Sequence, residues 1–314
     1  MDLLFKKSAL LNGGVISGNQ YNSPLQFEEL FQSPTAYEMT AGLTDYKKVF
    51  AHFSDNAANL WVKRIRPVLI KQTVGDDRIL WGFGTRNDTT SNFNVSRWYG
   101  AGVLETSITS TATSIRVYVK SVSDALFLPD DVIILDNGTR ERTAVISTVS
   151  YSGNVAILGL TGQIGADFTF GVTTVAVRPQ ILEQKATAVK ASKISLNGDF
   201  DATKVTLNAA GTVSNRFTLT FQSGTQFYVT GDDFNLASNG FTTIAFSPNN
   251  PATNTPYLTI PTNAWVGVFQ SGDQVVIETT GNYNAIWFKR IIPIGASGFA
   301  DNRFTFRIPF APEV

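Results

Sequence analysis

The chain has no cysteine among its 314 residues, which excludes disulfides, thiolate metal sites and cysteine nucleophiles together. Histidine is nearly as scarce. His52 is the single one, so a Ser-His-Asp triad would have to use it, and no G-x-S-x-G elbow accompanies it. Charge is thin: only 16% of residues are charged, and 25 Lys and Arg balance 25 Asp and Glu. A neutral total offers nucleic acid no concentrated basic surface and leaves copies of the chain little repulsion to keep them apart. No apolar run approaches the roughly 18 residues of a membrane span. At the start, MDLLFKKSALLNGG places its lysine pair after the apolar residues rather than before them, so a chain made without a signal peptide is expected.

What is abundant suits strands and tight turns. Aromatic residues reach 12%, and Thr, Ser and Asn supply most of the polar surface. Period-two alternation runs through Ile115, Val117 and Val119, through Phe217, Leu219 and Phe221, and through Phe304, Phe306, Ile308 and Phe310. Turn signals such as Asp136-Asn137-Gly138 and Ser271-Gly272-Asp273 punctuate these runs. The expected fold class is all-β, built as β-sandwich or small-barrel modules with one short N-terminal helix. That helix should start at Ser23-Pro24-Leu25-Gln26, bury Leu25, Phe27, Leu30 and Phe31, and end by Ser33-Pro34. ILEQKATAVKASK, from Ile181 to Lys193, has fair helical propensity and reads as a connector, helix or irregular strand. Residues 128–145 echo residues 270–286, which fits either duplicated units or two similar hairpins.

Catalytic and metal chemistry find little support. The pairs Asp76-Asp77, Asp130-Asp131 and Asp232-Asp233 could act as glycosidase carboxylates, but each sits in turn-like sequence where Asp bonds its own backbone. Asp199 and Asp201 in GDFDA offer two oxygen ligands, short of the six to eight a calcium ion takes. Gly82-Phe83-Gly84 is a bare G-x-G without the remaining glycine or the βαβ setting of a nucleotide site. No catalytic, metal or cofactor-binding residue is therefore expected. The closing stretch AIWFKRIIPIGASGFADNRFTFRIPF reads as a hairpin with a long loop, Ala285 to Ile292 and Arg303 to Phe310 being its strands.

That closing stretch resembles the end of a family of tailed-bacteriophage virion structural proteins, in which an Ile-Trp-x-Lys-Arg strand runs into a Pro-x-Gly loop and a final strand. LTDYKKVFAHFSDNAANLWVKRIRP, residues 43–67, and GDDRILWGFGTRND, residues 75–88, resemble the family's early strands. The likeness covers about the first hundred and last thirty residues. It implies no catalytic residues.

On this resemblance, residues 1–103 and 281–314 should form one terminal β module, with 104–180 and 181–280 as two inserted β units. The resemblance implies a structural component of a tailed-phage virion, assembling in multiple copies in the neck, tail or baseplate. Its partners would be other copies of itself and other virion proteins, with no nucleic acid, membrane, cofactor or small-molecule substrate. A subunit interface is expected at Trp61, Arg64, Arg66, Trp287, Lys289 and Arg290, because interfaces favour Trp and Arg. A charge reversal at Lys120, in the insertion, should be milder than one at Arg66. The alternatives are a capsid decoration protein, a receptor- or carbohydrate-binding β module using Trp98 and Tyr99, and a β-rich glycosidase or depolymerase.

Overall fold

Distant parts of the chain meet in a single antiparallel sheet. The computed structural model describes residues 2–10, 12–21, 30–54, 61–63, 66–84, 88–92, 95–179, 187–207, 212, 215–231, 236, 238–250, 255–280, 283–297, 302–309 and 311–313. Its terminal sheet has five strands in the spatial order Gly13–Gln20, Asp2–Leu10, Leu43–Ser54, Tyr283–Ile292 and Arg78–Phe83. The Tyr283–Ile292 strand therefore lies between two strands from the first hundred residues. Its register sets Trp287 beside Lys48 and Gly82, and Phe288 beside Lys47 and Trp81.

Alternation gives this central strand two different faces. Ile286 and Phe288 join Val49, Ala51, Ile79 and Trp81 in one core, which is closed by a second layer. That layer is the strand pair Val68–Lys71 and Thr305–Arg307. Phe306 stacks edge-on to Trp81 at 5.1 Å and to Phe288 at 5.0 Å, and Ile308 is buried beside them. The Phe304, Phe306 and Ile308 face thus packs inward, but the expected hairpin does not form. The 283–292 strand pairs with 43–54 and 78–83, while 305–307 pairs with 68–71. Stacking one piece over the other buries both sets of rings, which edge-to-edge pairing would leave half exposed.

The next unit is a closed six-stranded barrel, ordered Glu141–Ser152, Val155–Leu160, Ser114–Tyr118, Ala101–Leu104, Thr174–Val177 and Val132–Asp136. Ile115, Val117, Ile133, Leu135, Leu158 and Val175 fill it. The Ala101–Leu104 strand belongs wholly to the barrel, since Ala101 pairs with Ala176, so the barrel begins before the expected boundary at 103/104. The distal unit carries a sheet in the order Thr187–Ile194, Gln274–Thr280, Asn215–Phe221, Gln226–Gly231 and Ser238–Phe241, over an aromatic core that includes Phe221, Phe227 and Phe269.

The chain is all-β with little helix. The α-helix Ala36–Ala41 is held by a capping box in which Glu38 accepts from the Thr35 amide at 2.7 Å and Thr35 Oγ1 accepts from the Glu38 amide at 3.2 Å. The earlier start expected at Ser23 to Gln26 lies outside the described residues. Leu30 and Phe31, expected on that helix's buried face, do sit in the core. The stretch read as a connector holds the Thr187–Ile194 strand, because pairing with Gln274–Thr280 overrides a modest helical preference. The two echoing segments do not build alike. Residues 128–145 enter a barrel hairpin, whereas 270–286 run from the distal sheet into the terminal sheet.

Candidate assembly surface

The six residues expected at an interface have different fates. Trp61 lies in the short strand Trp61–Lys63, but its side chain, like the whole of Arg64, is outside the described residues. Trp287 is fully buried. Its Nε1 donates to Asp88 Oδ2 at 2.9 Å, and Lys48 Nζ reaches Asp88 Oδ1 at 2.6 Å and the Gly14 carbonyl at 2.7 Å. Arg290 is 3% exposed; its Nε donates to Asp77 at 2.7 Å and its Nη1 to the Gln32 carbonyl at 2.7 Å, while Asn302 donates to the other Asp77 oxygen at 2.7 Å. Trp287 and Arg290 are therefore corrected to internal residues: covering loops bury them, and a buried cation persists only because its carboxylate is beside it. Lys289 is half-buried, its ammonium 5.9 Å from the Tyr46 ring centre and 5.5 Å from that of Trp98. Of the six, Arg66 has a described, half-buried side chain with no acidic partner among the described residues.

Other candidate positions turn out to be structural supports. Asp76 is exposed and accepts from the Ser297 amide and hydroxyl, which hold its carboxyl below the ordinary value. Asp131 binds Arg97 through two bonds of 2.6 and 2.5 Å. Asp77 is thus an ion-pair anchor rather than a self-bonding turn residue, and Asp131 is both, since it also accepts from the Leu128 amide of its own turn at 2.7 Å; Asp232 and Asp233 fall outside the described residues. Asp201 caps the 3-10 turn Ala202–Lys204 by accepting from the Thr203 amide at 3.0 Å. The His52 side chain also lies outside the described residues; its backbone pairs with Leu4 and Tyr283.

The bare G-x-G has a packing cause. A Cβ at Gly82 would come within 2.5 Å of Val95, and one at Gly84 within 2.6 Å of the Trp287 ring. Trp98 is half-buried, and Tyr99 stacks against Trp81 at 4.9 Å, so the two aromatics of the carbohydrate-binding reading are largely occupied by the fold.

Two features join the barrel to the terminal module. The first is a groove of about 660 Å³ lined on one side by Lys71 and Val74 and on the other by Tyr118, Lys120, Asp136 and Val172. Lys120 Nζ donates to the carbonyls of Thr73 at 2.7 Å and Asp77 at 2.7 Å, and also to that of Gly75. Burial pulls its pKa down, against the attraction of Asp77 and Asp76. Lys120 is therefore a staple that ties the barrel to the 73–77 loop. Arg78 adds a second tie, donating to Asp124 at 2.6 Å.

The second feature is an arginine cluster. Arg178, at the end of the barrel, donates to Glu141 at 2.8 Å. From the terminal module, Arg307 donates to Glu141 and lies 3.4 Å from Asp136. Arg307 is opposite Val68, and the Arg66 amide donates to the Pro309 carbonyl, so alternation puts Arg66 on the same face as Arg307. Burial, and then the positive field of Arg66, make Arg178 easier to deprotonate than usual. Two guanidinium groups here meet two carboxylates, and Arg66 adds a third positive charge on the same face.

Among the described residues no group of three or more His, Asp or Glu could hold a metal ion, and no helix is long and apolar enough to cross a membrane. No family model, curated protein or solved structure matches the chain.

Proposed function

We propose that this chain is a structural component of a tailed-phage virion, assembling in multiple copies in the neck, tail or baseplate through its terminal module. One observation carries the reading. The three segments that resemble the virion family contain the strands Leu43–Ser54, Arg78–Phe83 and Tyr283–Ile292, and these are immediate neighbours in one sheet. Segments more than 200 positions apart thus form a single module, from which two β units extend. Its action would be mechanical: the module contributes contact surface, and the internal ion pairs at Asp77, Asp88 and Asp131 hold the shape. The test is a density map of the particle that encodes the chain. Repeated copies at the neck, tail or baseplate support the reading, and a particle lacking the chain, or turnover of a polysaccharide by the purified protein, refutes it.

A second reading, a ligand-binding β module, has the groove beside Tyr118 in its favour. Binding of host-surface glycans that is lost on Tyr118→Ala would establish it over the first.

A further inference from the structure

The arginine cluster at the joint between terminal module and barrel is not neutral. Glu141 and Asp136 answer two positive charges, and Arg66, Arg178 and Arg307 supply three. Arg307 keeps 38% of its side chain exposed, so the cluster is open to solvent. Arg66 has no acidic partner among the described residues, and one more carboxylate, which can accept two bonds from a guanidinium, would answer its charge.

The distribution of charge along the chain indicates where that carboxylate comes from. Residues 1–103 and 281–314 contain fifteen Lys and Arg against eleven Asp and Glu, whereas 104–180 and 181–280 each contain five against seven. A chain of zero net charge is thus a basic module joined to two acidic ones, and opposite surfaces on copies of one chain attract.

We infer that the Arg66–Arg178–Arg307 cluster receives an acidic side chain from an inserted unit of a second copy of this chain. This rests on the assembly reading above and gives it a direction. The contact joins two different surfaces, so it is head-to-tail, and repetition closes into a ring or continues as a helix.

Two variants test it. Sedimentation of the full chain should show association that weakens with added salt, and Arg66→Glu should raise the concentration needed for it by at least about tenfold. Circular dichroism should be unchanged. Arg66→Lys keeps the charge and places an amine at the site, so a zero-length carbodiimide should link residue 66 to an Asp or Glu between 104 and 280. A mixture of nitrogen-14 and nitrogen-15 chains identifies the link as intermolecular by mass spectrometry. Unchanged association of a folded Arg66→Glu, a link only within one chain, or no link at residue 66 overturns the inference. A wild-type chain that stays monomeric at all concentrations also overturns it. The virion reading survives any of these results, because the particle map tests it separately.

Discussion

Replacing Lys120 by Met should destabilise the protein by about 3 kcal/mol, although no other protein charge is left unpaired by the change. The side chain stem is retained, so little packing is lost. What disappears is the ammonium that the carbonyls of Thr73, Gly75 and Asp77 share. The Asp77 carbonyl keeps the Thr73 hydroxyl as a donor at 2.7 Å, and each of the other two, left without one, costs about 1 to 3 kcal/mol when water is excluded. The groove admits water to part of the site, which places the sum toward the low end. For 314 residues unfolding as one unit, at about 2.1 cal/mol/K per residue, the melting temperature should fall by about 4 to 5 °C. Lys120→Arg should recover little, since a planar guanidinium cannot direct three donors at carbonyls arranged around a point charge. Urea unfolding and calorimetry measure both quantities. A Met variant within about 0.5 kcal/mol of wild type, the usual range for a surface substitution, would refute the staple.

Three further changes probe the other anchors. Arg290→Leu should cost about 3 to 5 kcal/mol in urea unfolding, because Asp77 is left charged and buried; the double change with Asp77→Asn should recover part of that loss. Gly13→Ala should cost several kcal/mol or prevent folding, since φ is +108° there and the new methyl would sit 2.6 Å from the Trp287 ring; an unaltered melting temperature would contradict the packing. Asp76→Asn should be less stable than wild type at pH 7. The Asp76 carboxyl is held below its ordinary 3.8 by Ser297, so its contribution is full above that value and disappears as the pH falls through the folded pKa. The two urea midpoints should therefore converge on acidification, and a gap independent of pH would argue against the Ser297 bond.

Strand character was legible because alternation is local: Phe217, Leu219 and Phe221 declare a buried face within five residues. Pairing was not. Residues 283–292 and 305–307 adjoin in sequence, but their partners lie more than 200 positions earlier, and no local pattern encodes that choice. The same limit explains Trp287 and Arg290. Trp and Arg in a strand look alike whether they face a partner or a buried Asp, and the relevant acids, Asp88 and Asp77, are remote in the sequence. Position 35 carries a signal that the sequence does show: Thr35 followed by Glu38 is a capping box, and Pro34 is the prelude to that helix rather than the end of an earlier one.

The order of the terminal sheet has a kinetic consequence. Its Tyr283–Ile292 strand fills the gap between Leu43–Ser54 and Arg78–Phe83, so that gap stays open on the ribosome until the barrel and the distal unit have been synthesised. Each of those units enters and leaves through paired strands, Ala101 opposite Ala176 and Thr187 opposite Thr280. Either can therefore close its own hydrogen-bond ladder early. The emerging chain meanwhile carries two unsatisfied strand edges, the kind of surface that invites mispairing with a neighbouring nascent chain. Emergence of residues 283–292 is then the event that joins a folded pair of appendages to a completed sheet.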